Sequence, residues 1–324
     1  MKAAFCDQYG PPDALEFREM PKPEPTDSQV LIRVHAASLN VLDYIIMRGK
    51  PFFVRLFFGL LKPKREILGS DFAGEVEAVG GKVTQFHTGD DVFGAKGFAG
   101  SAFAEYVCAS EEELALKPAG ISYEDAACVP VAGLTALQGL RDHGRIRAGQ
   151  RVLVDGASGG VGTFAIEIAK AFGTEVTAVC STRNLATARS IGADHVIDYT
   201  RDDFTRNGQR YDLILAANAR HSIFAYMRAL GRGGVLVKAG GNPTLQGAFE
   251  DLLIAPILSR MSGKKVCSFI AKLKQKDLIC LAGFLEDGRI VPVIDRRYSL
   301  RDAAAAIAYL EEGHAQGKVA LFFE

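Results

Sequence analysis

Between Arg151 and Phe172 the chain reads RVLVD, then GASGGVG, then TFAIEIAKAF. The first five residues are a short apolar strand. From Val161 onward Phe164, Ala165, Ile168, Ala169 and Phe172 recur at helical spacing. A strand that turns through glycine straight into a helix is the context of a dinucleotide-binding turn. Without a Cβ, Gly159 and Gly160 let backbone N–H groups approach a pyrophosphate, and the helix N-terminus adds partial positive charge. Gly162 lets the helix pack closely on the sheet. Ala157 departs from the usual pattern, standing where its first glycine would be. Ser158, Gly159, Gly160 and Val161 are the candidate phosphate contacts. The plainer alternative is a tight strand–helix turn that binds nothing.

The surroundings of this turn favour the ligand. From about residue 124 to 273, apolar runs (EVTAVC, HVIDY, YDLILA, GVLVKAG, VCSFI) alternate with helix-period segments. Continuous apolar strands joined by helices imply a parallel sheet covered on both faces, a doubly wound α/β domain. Residues 1–123 differ. SQVLIRVHA (28–36), GEVEAV (74–79), Asp91–Phe93 and Phe103–Val107 read as short strands divided by Gly, Pro and Asp, as an antiparallel barrel requires. The last fifty residues (274–324) predict two helices and a closing strand, VALFF.

Charge narrows the function classes. With 38 basic and 38 acidic residues the chain lacks the electrostatic footprint of a nucleic-acid binder and disfavours a polybasic membrane anchor. No run reaches the ~20 residues of a membrane span. Cys6, Cys108, Cys128, Cys180, Cys267 and Cys280 form no CxxC, which suits a reducing, cytoplasmic setting.

Cofactor choice is read at the end of the second strand, where an NAD enzyme places an acid on the ribose 2′-hydroxyl. Here the chain reads Val179-Cys180-Ser181-Thr182-Arg183-Asn184, without an acid. A carboxylate would repel a 2′-phosphate, whereas Arg183 and Ser181 offer donors that match it. NADP(H) is therefore the expected cofactor. Tyr199, ending the third strand, is a candidate against the adenosine or a core residue.

Seven segments in order, VHAASLNVLD (34–43), LGSDFAGEVEAVGGKVTQFHTGDDVFG (68–94), SAFAEYV (101–107), VPVAGLTALQGL (129–140), DGASGGVGTFAIEIAKAFG (155–173), GADHVIDY (192–199) and GHAQGKVALFF (313–323), span nearly the whole chain. Together they resemble the zinc-independent, quinone-oxidoreductase-like branch of the medium-chain dehydrogenase/reductases. The resemblance implies a GroES-like β-barrel catalytic domain over 1–123, with 274–324 returning to it, and a Rossmann NADP-binding domain over 124–273. It also implies a homodimer, with pairing expected at the edge strand near Cys267. Relatives that bind catalytic zinc carry a Cys near Asn40 and a His-Glu pair near Ser70-Asp71. Asn and Ser are poor zinc ligands, so no metal site is expected, and Asp71 is expected to cap the turn before Gly74.

Without a Lewis acid, an electron-poor acceptor needs the least help, because charge from an arriving hydride delocalises. Quinones and α,β-unsaturated carbonyls meet that requirement. A small lipophilic substrate of this kind is expected, with an NAD(P)-dependent alcohol dehydrogenase and an NADPH-binding scaffold or sensor as alternatives. By resemblance Asn40 faces nicotinamide and substrate, and Tyr44 donates a proton or lines the pocket. Thr135 lies beside the nicotinamide, and Gly240 and Gly241 bring backbone contacts to its amide. His314, Ala315, Gln316 and Lys318 form the turn that reaches the cofactor, with Gln316 replacing the usual Arg. Ala216 and Asn218 in LAANAR (215–220) depart from the family pattern and are left out of the expected site. PFFVRLFFGLLKPKRE (51–66) is either a hydrophobic lid over a flat substrate, using Phe52, Phe53, Phe57 and Phe58, or a local helix packed on its own barrel. Phe269 lines the same cleft or packs in the core.

Overall fold

The computed structural model describes residues 1–97, 100–239 and 254–323. The chain divides into two units, one of Met1–Val131, Leu273–Gly288 and Ile294–Glu324, the other of Ala132–Lys272 and Arg289–Val293. Residues 124–131, expected with the nucleotide domain, group with the first unit, and 289–293 group with the second. Two hydrogen bonds hold these segments where they are: Val131 N–H to Asp71, and Val291 N–H to Glu167.

In the first unit the strands are β1 (Lys2–Phe5), β2 (Glu16–Glu19), β3 (Gln29–Ser38), β4 (Asp71–Val79), β5 (Asp91–Ala95), β6 (Tyr106–Ser110) and β7 (Leu114–Leu116). The second unit supplies β8 (Arg151–Asp155), β9 (Glu175–Cys180), β10 (His195–Asp198), β11 (Tyr211–Ala216), β12 (Leu230–Ala239) and β13 (Lys265–Phe269). The chain then returns with β14 (Ile294–Ser299) and β15 (Lys318–Phe322).

The first unit is organised by β3, whose ten residues are apolar enough to be buried along most of their length. It pairs antiparallel with β4, β6 and β15, so three strands far apart in sequence meet on one backbone. The full sheet order is β14-β15-β3-β4-β5-β7, with β6 on the side of β3. Val30, Ile32, Phe72, Val92 and Leu114 fill one core, while Met47, Phe103, Leu300, Ile307 and Val319 fill another. Each large side chain so buried contributes ~1.5–3 kcal/mol. Strand β14 is absent from the sequence reading: IDRRYS has no apolar alternation because it is an edge strand, half-exposed along its length. The strand expected over Phe103–Val107 lies three residues later, at Tyr106–Ser110.

In the second unit six parallel strands run in the order β10-β9-β8-β11-β12-β13. The order reverses between β8 and β11, the switch point at which ligands bind in doubly wound sheets. The helix Gly160–Ala171 follows β8 and is buried continuously from Gly162 to Ala169, which explains its apolar composition. No helix among the described residues is long and apolar enough to cross a membrane.

Candidate functional site

In the second unit the glycine turn joins β8 to the helix Gly160–Ala171. Gly156 has φ +81°, which a side chain would strain, and a Cβ there would strike Asn218 at 2.7 Å. A Cβ on Gly162 would lie 2.1 Å from the Gly156 carbonyl oxygen, so this glycine is required for helix and strand to pack. Gly159 differs, since among the described residues a Cβ there would meet only the Gly156 oxygen, at 3.7 Å. The described residues do not demand glycine at 159; a ligand that needs the backbone within reach would. Gly159 caps the helix Gly160–Ala171 with extended backbone and no side-chain bond. The first-turn N–H groups of Gly160, Val161 and Gly162 thus have no intrahelical acceptor. A pyrophosphate fits this cradle, with Ser158 beside it.

The loop after β11 lies against the same turn. Ala217 N–H donates to the Asp155 carbonyl at 2.9 Å, and Asn218 abuts Gly156. Asn218 therefore belongs with the glycine turn, a placement that sequence order across sixty residues does not reveal. Asp155, at the end of β8, is buried and accepts from the Tyr226 hydroxyl. Burial raises its pKa, and that hydrogen bond partly opposes the rise.

At the end of β9, Ser181 opens a short turn, Thr182–Asn184, whose exposed members are Thr182 and Arg183. Asn184 is buried and donates to Ser181 Oγ at 3.1 Å, while its Oδ1 has no partner. An acid does approach this place, from β10: the register sets Asp198 opposite Cys180. Asp198 accepts from Thr182 Oγ1 on one oxygen and from the Thr200 hydroxyl and N–H on the other. These hydrogen bonds, Thr182's foremost, hold its pKa below the usual carboxylate range. Tyr199 is 48% exposed beyond β10, with the Arg220 guanidinium 5.7 Å from its ring centre. Ser181, Arg183 and Tyr199 thus share the carboxyl ends of β9 and β10.

In the first unit two strand ladders deliver a polar cluster to the end of β3. The β3–β4 register sets Asp71 opposite Ser38, and the β3–β15 register sets Ala320 opposite Ser38. Lys318, two residues before Ala320, therefore reaches past the end of β3. Its Nζ donates to Leu39 O at 2.9 Å and Asn40 Oδ1 at 2.8 Å, and lies 3.3 Å from Asp71 Oδ2. Asp71 Oδ2 also accepts from Asn40 Nδ2 at 2.9 Å and Ser38 Oγ at 3.1 Å. Lys318 and Asp71 are 3% and 0% exposed, so the pair is dry, and Asn40 is the cluster's partly exposed member.

Asp71 does not cap the turn before Gly74, as its position suggested. It heads β4, and its Oδ1 accepts Val131 N–H at the start of the helix Pro130–Gln138. A carboxylate there satisfies an orphan donor and complements the helix dipole. Asn40 is the N-cap of the helix Val41–Arg48, and its N–H donates to Asp43 Oδ2 at 2.6 Å. Burial, opposed first by that hydrogen bond, raises the Asp43 carboxyl to about 7. Cys128, also buried, has its thiol pushed to about 12, with the Lys318 charge opposing.

The other expected residues are dispersed. Tyr44, one helical turn past Asn40, packs against the Met47 and Ile307 core, and burial raises its pKa. Thr135 is buried on the helix Pro130–Gln138. His314 is exposed, Ala315 packs on the core, and Gln316 N–H donates to Asp295 at 2.9 Å. Gly240 and Gly241 lie outside the described residues. Phe269 stacks on His143 within the second unit at 4.3 Å.

Residues 26–119 match the alcohol dehydrogenase GroES-like domain, and residues 191–321 match the zinc-binding dehydrogenase family. The chain is 32% identical to a chloroplastic quinone oxidoreductase of Triphysaria versicolor over 98% of its own length and 97% of that protein's. It belongs to the quinone oxidoreductase branch of the medium-chain dehydrogenase/reductases. This oxidoreductase is also 32% identical to the NADPH-dependent alkenal/one oxidoreductase of Arabidopsis thaliana, over 99% of this chain and 79% of that one. The solved quinone oxidoreductase of Coxiella burnetii superposes with a TM-score of 0.87 at 32% identity, covering 100% and 99% of the two chains.

The zinc in the second family's description can be tested against the residues. Where zinc-binding relatives place their ligands this quinone-oxidoreductase relative has Asn40, Ser70 and Asp71. Asp71 is the one good donor, and its Oδ2 already faces the Lys318 ammonium. Among the described residues no three His, Cys, Asp or Glu side chains converge. This donor set does not fit catalytic zinc.

Proposed function

We propose that this chain is an NADPH-dependent reductase of quinones or α,β-unsaturated carbonyls that works without a metal. The observation that carries the reading is the clamp on Asn40. Its Oδ1 accepts from Lys318 and one Nδ2 hydrogen goes to Asp71, which fixes the amide plane. Among the described residues the second Nδ2 hydrogen has no acceptor, which leaves it for a substrate oxygen. A donor fixed in advance and polarised by a dry ion pair suits an oxyanion that develops as the acceptor is reduced. Bound nicotinamide would supply the hydride. The glycine turn at Ser158–Val161 would hold its pyrophosphate. Protonation of the product falls to water or a hydroxyl, with Tyr44, one helical turn past Asn40, as the candidate.

The preference for NADPH rests on the end of β9. The nearby acid, Asp198, is spent on Thr182 and Thr200, while Arg183 and Arg220 present cations. The alkenal/one oxidoreductase relative, NADPH-dependent by name, agrees with it. A cytoplasmic location suits six free cysteines, and β13, one of the two edge strands of the six-stranded sheet among the described residues, suits a homodimer.

The test is NADPH and NADH oxidation against a panel of quinones, enals and enones, with metal analysis and alcohol oxidation alongside. Turnover of quinones or enones by metal-free protein is expected. Asn40→Ala should lower kcat/KM by ~10²–10³, the scale of one oxyanion donor. Alcohol oxidation that needs stoichiometric zinc would overturn the reading. So would NADPH binding without turnover of any acceptor, which would make the chain a scaffold.

A further inference from the structure

The segment that sequence alone leaves as lid or local helix is, in the structure, an anchored projection. Its helix, Val54–Phe58, turns Val54 inward, and Pro63 is buried beyond it. The Tyr9 hydroxyl donates to Gly59 O at 2.5 Å, and the Arg55 guanidinium lies 4.4 Å over the Tyr9 ring. Gly59 has φ +122°, and a Cβ there would strike the Lys62 oxygen at 2.0 Å. The turn is therefore built to hold one shape.

What it presents outward is apolar. Phe52, Phe53, Leu56, Phe57, Leu60 and Leu61 are 41–89% exposed, six large side chains within ten residues. At ~150–200 Å² per side chain this is on the order of 600 Å² of open apolar surface, the upper end of what water-facing monomers carry and a size that often marks a binding surface. The charges beside it are one-sided. Lys50, Lys62, Lys64 and Arg65 are exposed around the apolar group, and among the described residues none of the four is in an ion pair. Glu66 is the sole acid of the stretch 50–66. The overall neutrality of the chain conceals this segregation.

We infer that residues 50–65 dock on the surface of an anionic phospholipid bilayer, with the Phe and Leu side chains in the acyl boundary and the four cations at the headgroups. Charge complementarity selects this occupant. A second copy of the chain would bring four unpaired cations against four more, whereas anionic headgroups neutralise them beside an apolar layer. The inference does not depend on which acceptor the enzyme reduces.

The chain contains no tryptophan, so Phe57→Trp gives a single reporter at the tip. With vesicles of 70% phosphatidylcholine and 30% phosphatidylserine, its emission should shift to the blue and the protein should co-sediment. Raising NaCl from 0.05 to 0.5 M should weaken binding at least ~10-fold. Phe57→Ser/Leu61→Ser should lose at least ~10-fold in vesicle partition with unchanged circular dichroism. Lys62→Ala/Lys64→Ala/Arg65→Ala should lose the preference for phosphatidylserine. Equal binding to neutral and anionic vesicles, or none to either, overturns the inference. A blue shift without vesicles that grows with protein concentration would show a second copy as the occupant. A blue shift on adding a hydrophobic acceptor alone would show a substrate lid.

Discussion

Replacing Lys318 by Met keeps the length of the buried stem and removes its charged head. The head donates at 2.8 and 2.9 Å to Asn40 and Leu39 and faces Asp71 at 3.3 Å, with both charges out of water. The variant leaves the Asp71 carboxylate in a fully buried place with neutral donors alone, from Ser38, Asn40 and Val131. Breaking one side of such a pair costs ~3–5 kcal/mol, because the other charge stays desolvated. For a unit of this size that is a fall in Tm of about 6–20 °C. Adding Asp71→Asn removes the stranded charge, so the double variant should regain at least ~2 kcal/mol over Lys318→Met. Thermal unfolding of the three proteins, followed by circular dichroism at one pH, measures this coupling. Quinone reduction separates stability from chemistry: kcat should fall in Lys318→Met and stay low in the double variant, since neither holds Asn40 Oδ1. A loss below ~1 kcal/mol for Lys318→Met, or additive losses in the double variant, would refute the buried-pair argument.

Glu167, buried on the helix Gly160–Ala171, takes one hydrogen bond from Val291 N–H, and burial raises its pKa to about 8. Between the unfolded carboxyl near ~4.5 and that value the native state holds the extra proton, so stability falls as pH rises through this window. Glu167→Gln should match the wild type near pH 4.5 and exceed it by up to ~3–5 kcal/mol at pH 8.5, read from urea midpoints; a pH-independent difference would count against it. Arg183→Ala should weaken NADPH binding by ~1.5–3 kcal/mol and leave NADH nearly unchanged in titrations of nicotinamide fluorescence. Equal losses would remove Arg183 from a 2′-phosphate role. Gly159→Val should fold with a loss of only ~1 kcal/mol yet fail to bind the dinucleotide, whereas Gly162→Ala should fail to fold stably because of its 2.1 Å contact. Isothermal titration and thermal melts distinguish the two, and retained affinity in Gly159→Val would displace the pyrophosphate from this turn.

The sequence by itself determined whatever local covalent pattern decides. Apolar runs of strand length, divided by helix-period segments, specify a parallel sheet, since only buried strands can be apolar on both faces. The glycine turn was legible because a strand that runs through glycine straight into a helix-period segment is a local pattern. So was the lack of good zinc donors at Asn40 and Ser70. What lies between distant segments was not legible. Ser38, Asp71 and Lys318 meet because two antiparallel registers converge on the end of β3, and a register is set by tertiary packing over hundreds of residues. For the same reason Asn218 joins the glycine turn and Asp198 reaches the end of β9. Strand β14 escaped because an exposed edge needs no apolar alternation. The exposure of Phe57 and Leu61 was equally out of reach, for composition cannot tell an apolar side chain that fills a core from one that faces outward. Only the fold, by burying Val54 and Pro63 instead, decided which side of that segment faces solvent.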